Sequence, residues 1–146
     1  MRTKTILIIA VAAFLGATGC KSTTGPEEDE FVGTWNATKA EFVSDANPAT
    51  SVDIITQGGT LALVLNASTF TMTIKESGKP DWVGNGTWSN SIDTMTFTWS
   101  SGMSGESQFD FILSGSRLTL EGGHMSHDFV PGNFEEAIVN LILVRQ

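Results

Sequence analysis

The chain is short of cysteine, histidine and positive charge, and each shortage narrows what it can do. A single cysteine, Cys20, among 146 residues cannot close an internal disulfide, so packing alone must hold the fold together. Eight lysines and arginines stand against sixteen acidic residues, a formal charge of −8. That balance argues against nucleic acid and against electrostatic docking on anionic lipid, which both need basic patches. No Gly-x-Ser-x-Gly turn, phosphate loop or dinucleotide fingerprint occurs, so the chain reads as a non-enzyme without a cofactor. The apolar run Ile6 to Gly16 is too short to cross a bilayer as a helix, which takes about 20 residues.

What precedes Cys20 is more informative. Arg2 and Lys4 give a positive start, Ile6 to Gly16 an apolar stretch, and Ala17-Thr18-Gly19 the small residues of a cleavage site. The segment resembles the lipobox of bacterial lipoproteins, with Ala17 where that family most often has Leu. The resemblance implies that residues 1–19 are a signal peptide and that Cys20 is lipidated, becoming the mature N-terminus and binding the membrane through its lipid. Lys21 stands where lipoproteins kept in the inner membrane often carry Asp, so the expected location is the cell envelope, anchored in the outer membrane. Without Arg2 and Lys4, six basic residues face sixteen acidic ones, a formal charge of −10. Residues 20–30 read as the lipidated Cys followed by a solvated tether. The acidic run Glu27-Glu28-Asp29-Glu30 lacks the Gly or Asn spacing of a calcium loop.

From Phe31 onward the pattern is β. Leu61, Leu63 and Leu65 alternate with smaller or polar residues, as do Phe70, Met72 and Ile74, then Met95, Phe97 and Trp99; Phe109, Phe111 and Leu113 come next. Leu118 and Leu120 follow. Short polar or Gly-containing links separate these runs, as antiparallel hairpins require. Residues 138–145 read as a closing strand, with at most one helical turn before it from an Asn133 to Glu136 capping box. The expected fold is all-β: one domain, 31–146, forming an antiparallel up-and-down barrel of about eight strands, with a β-sandwich as the alternative. Gly33-Thr34-Trp35 recurs as Gly86-Thr87-Trp88, too short an echo to claim a duplication.

Phe31-Val32-Gly33-Thr34-Trp35 sets a Gly-x-Trp on the first strand. Ahead of a series of hairpin strands, this is similar to the lipocalin-like (calycin) barrels of many bacterial lipoproteins. The resemblance implies that Trp35 packs across the closed end of the barrel and that Gly33 lets the chain approach it.

If one face of each strand points inward, Trp35, Leu63, Phe70, Met72, Met95, Phe97, Trp99, Phe109 and Phe111 line the interior. An eight-stranded barrel is just wide enough to be filled by side chains or to hold one small ligand. Two functions follow: a membrane-anchored barrel that binds a small apolar ligand, or a structural or protein-interaction lipoprotein with a filled barrel.

Other constellations are weaker. His124 and His127, with Glu121 or Asp128, have the residue types of a metal site, but residues three apart on a strand face opposite sides. Gly122-Gly123 and Pro131 suggest instead a polar loop before the last strand. Ser126 has no orienting partner in sequence, and Glu106, Asp110 and Glu121 show no acid–base pairing. Trp82 and Trp88 flank a Gly-rich turn or bulge, where aromatics serve packing more often than binding of sugars or partners.

Overall fold

The computed structural model describes residues 25–146; the signal segment 1–19 and Cys20 lie outside them. A 3-10 turn over Glu28–Glu30 leads into nine strands: β1 (Gly33–Ser44), β2 (Ser51–Asp53), β3 (Thr60–Leu65), β4 (Thr69–Lys75), β5 (Trp82–Asn90), β6 (Thr94–Ser101), β7 (Glu106–Ser114), β8 (Arg117–Val130) and β9 (Asn133–Arg145). Every neighbouring pair is antiparallel, and β9 returns to pair with β1 from Trp35↔Arg145 to Ser44↔Ala137. That closure decides between barrel and sandwich. β1 pairs with β3 over Gly33–Asn36 and with the short β2 over Glu41–Val43, so the barrel has eight strands and β2 is an extra one. Each barrel strand finds both neighbours within residues 25–146, so the sheet closes on itself with strands from this part of the chain alone.

The alternation in the sequence becomes the two faces of the sheet. Leu61, Leu63 and Leu65 of β3, Phe70, Met72 and Ile74 of β4, and Met95, Phe97 and Trp99 of β6 are all buried. Their interleaved threonines are less buried or face solvent, because successive side chains on a strand point to opposite faces. Asp110, between buried Phe109 and Phe111, is exposed.

Two sequence expectations fail near the C-terminus. Residues 121–128 are part of β8 rather than a loop, and β9 is a strand from Asn133 onward, with no helical turn before residue 138. The cause is mutual: Ser126↔Glu136 and His127↔Glu135 give both segments a hydrogen-bonded partner, and that ladder outweighs a local cap. Gly122 and Gly123 do not break the strand but bulge it. The register slips between Leu120 and Gly123, and Gly122 takes φ +76, a left-handed conformation open to glycine. A Cβ on Gly123 would fall on the Phe109 ring, so the chain can pass there only as glycine.

One end of the barrel is sealed. Phe31 meets Trp88 at 5.7 Å and Phe111 at 5.1 Å, both edge to face. Trp35 is fully buried, its indole N–H donates to the Phe31 carbonyl at 2.8 Å, and the Arg145 guanidinium lies 4.6 Å over its ring. Arg145 also donates to the Glu30 carbonyl, and the Asn90 amide donates to the Pro26 carbonyl at 2.9 Å. Residues 25–31 therefore lie against this closed end, and the chain enters the barrel there.

Candidate functional site

The opposite end is built from the connections 45–50, 54–59, 76–81, 102–105 and 131–132. A cavity of about 470 Å³ opens there, with apolar walls from Phe42, Ile74, Trp82, Met103, Met125 and Phe134. A neighbouring cavity of about 340 Å³ lies toward β2, lined by Val52, Ile54 and Phe129 among others. Glu76, Lys79, His127 and Asp128 line both, so this polar group forms the wall between them.

Lys79 organises that wall. Its ammonium donates to Glu76 Oε2 at 3.0 Å and to an Asp128 carboxylate oxygen, tying the β4–β5 connection to β8. Burial works against the Lys79 charge, but the hydrogen bonds and charges of Asp128 and Glu76 outweigh it and raise its pKa. The hydrogen bond from Lys79 in turn holds Asp128 below its ordinary range, against the opposing effect of burial. His127 is buried, stacks on Phe42 at 4.5 Å between ring centroids and meets the edge of Phe129 at 4.8 Å. Its Nδ1 stands 4.0 Å from Glu76 Oε1, too far for a hydrogen bond. Burial lowers its pKa, with the Glu76 charge opposing, so the imidazole is neutral at pH 7.

A pH dependence follows from the lowered Asp128 pKa. Stability from the Lys79–Asp128 pair is present above the unfolded pKa of about 3.9 and is lost as pH falls through the lower folded value. The Tm difference between the wild type and Lys79→Met should be largest near neutral pH and should close below about pH 4. A difference that stays constant through the acid range would show that the pair does not hold the wall.

The nine interior residues expected from the sequence all face inward. Trp35, Leu63, Phe70, Met72, Met95, Phe97 and Phe109 are fully buried, and Trp99 and Phe111 nearly so. They pack on one another: Phe70 lies 4.8 Å from both Phe97 and Trp99, and Phe97 lies 5.7 Å from Phe109. None of the nine lines either mouth cavity. The two histidines are not brought together. His124 is on the outer face, 3.4 Å from Glu136, while His127 is inside. Glu76, His127 and Asp128 can bring one ligand atom each within 4.8 Å of one another, as a metal ion would need, but the Lys79 ammonium already lies between the two carboxylates. Trp88 is packing: it is buried, and its indole N–H donates to the Asn66 carbonyl at 2.8 Å. Trp82 is part of the mouth.

Phe42, Met103, Met125, Phe134 and the Glu76–Lys79 pair were not singled out by sequence. That loop, with Ser77-Gly78-Lys79-Pro80, is one of the short polar or Gly-containing links between strands, and nothing else in the sequence sets it apart. No protein-family model, no curated protein and no solved structure matches the chain. The fold therefore rests on its own geometry, a closed eight-stranded antiparallel barrel consistent with a lipocalin-like fold.

Proposed function

We propose that this chain is a lipid-anchored, non-enzymatic protein of the cell envelope whose barrel mouth binds one small apolar ligand. The observation that carries the reading is the 470 Å³ mouth cavity with its aromatic and methionine walls, within the size range of small-molecule sites. Methionines 103 and 125 give those walls an adaptable surface. The signal-like residues 1–19 and Cys20 support anchoring, with the outer membrane as the expected location. Because residues 25–31 lie against the closed end, an anchor at Cys20 turns the mouth away from the membrane and toward water. Protein partners are the alternative use of the same end, favoured by Val130 and Phe134, exposed where β8 turns into β9.

An environment-sensitive apolar fluorophore titrated into residues 25–146 tests the first reading. Saturable one-to-one binding is expected. Met125→Trp, which fills the cavity at an overpacking cost of about 1–3 kcal/mol, should weaken it at least ~10-fold while the fold is retained. A folded domain that binds no probe would leave the filled barrel acting through its loops.

A further inference from the structure

We propose that the occupant of the mouth cavity is a cationic amphiphile, an organic ammonium with an apolar body, and that anionic lipids such as fatty acids are turned away. The inference rests on the mouth being a ligand site and concerns the head group alone. The ionisable side chains on the cavity wall are Glu76, Lys79, Asp81, His127 and Asp128. Lys79 is already engaged by Glu76 and Asp128, and Lys75, beside the cavity, is engaged by Asp81 at 2.7 Å. Three carboxylates against two ammonium groups leave one negative charge, with no cation free to receive a carboxylate head. Neutral His127 adds no compensating charge.

The rest of the wall suits a cation as well. Trp82, Phe42 and Phe134 present aromatic rings to the same space as the carboxylates, and aromatic faces attract ammonium groups within about 6 Å. An alkyl chain would lie against Ile74, Met103 and Met125. At longer range the formal charge, −8 for the whole sequence and −10 without residues 1–19, draws cations to the protein and repels anions.

Three probes with the same dodecyl chain separate head group from cavity: dodecyltrimethylammonium, dodecanol and dodecanoate, each below its micelle concentration, titrated into residues 25–146. The ammonium is expected to bind at least about tenfold more tightly than the carboxylate, with the alcohol between, since one net negative charge at close range attracts the cationic head and repels the anionic one. The double substitution Glu76→Gln with Asp81→Asn changes the wall from one net negative charge to one net positive charge and should reverse the order. Glu121→Gln, on the outer face, should leave it unchanged. Dodecanol binding with ammonium and carboxylate equal, or with carboxylate tighter, overturns the head-group inference while the cavity stands. An ammonium preference that survives the double substitution also overturns it, because overall charge would then be the cause. Binding of none of the three removes the ligand site and the inference together.

Discussion

Replacing Trp35 by alanine should lower the stability of residues 25–146 by about 3–5 kcal/mol, a large share of the ~5–15 kcal/mol that holds a domain together. Three losses combine. The ring is fully buried at the closed end, so its removal leaves a cavity where barrel strands converge. Its indole N–H no longer satisfies the Phe31 carbonyl, and the Arg145 guanidinium, whose Nε is already buried without a partner among the described residues, loses the ring beneath it. Trp35→Phe restores most of the volume but not the hydrogen bond, and should cost about 1–3 kcal/mol relative to wild type, less than the alanine variant. Urea midpoints of the three proteins check this. An alanine variant within ~1 kcal/mol of wild type would mean that Trp35 does not seal that end.

Phe97→Asp should abolish cooperative folding. Phe97 is fully buried between Phe70, Phe109 and Trp99, with no charged group among those ring neighbours and their one polar group, the Trp99 indole N–H, already donated to Ser107. The substitution removes an aromatic side chain, which alone costs about 3–5 kcal/mol, and leaves a carboxyl group without partners in the same space. Circular dichroism of the purified variant should show no thermal transition. A folded variant would place water or an open cavity beside residue 97 and shift the ligand site into the middle of the barrel. The same substitution at the mouth behaves differently: Phe134, largely exposed, should tolerate Asp with a change of less than about 0.5 kcal/mol in stability.

The barrel was legible because it is written in period two. Leu61 to Ile74, Met95 to Trp99 and Phe109 to Phe111 each place their large residues on one face, and the short links between them leave hairpins as the natural connection. The site was not legible because it depends on a change of phase. Leu118 and Leu120 point inward, and an unbroken β8 would have carried His124 inside and His127 out. The extra residue in the Glu121–Gly122 bulge reverses that, so Gly123, Met125 and His127 face the interior. β1 makes a similar slip between Ala37 and Lys39, bringing Ala40, Phe42 and Ser44 inside after Trp35. Both slips deliver residues to the mouth, Phe42 from one strand and Met125 and His127 from the other. The Lys79 contacts add a second kind of obscurity: Lys79 and Asp128 are 49 residues apart, and only closure of the sheet makes them neighbours.

Four indole N–H groups offer separate reporters along the barrel, and their proton–nitrogen correlation spectrum during a dodecanol titration is the most direct measurement. Trp35 is tied to Phe31 and Trp88 to Asn66 at the closed end, Trp99 donates to Ser107 at 2.8 Å in the interior, and Trp82 lines the mouth. The expected result is a saturable shift of the Trp82 signal, a smaller one for Trp99, whose ring lies 5.7 Å from that of Trp82, and none for Trp35 or Trp88. Shifts at Trp35 and Trp88 with Trp82 unmoved would contradict a site at the mouth.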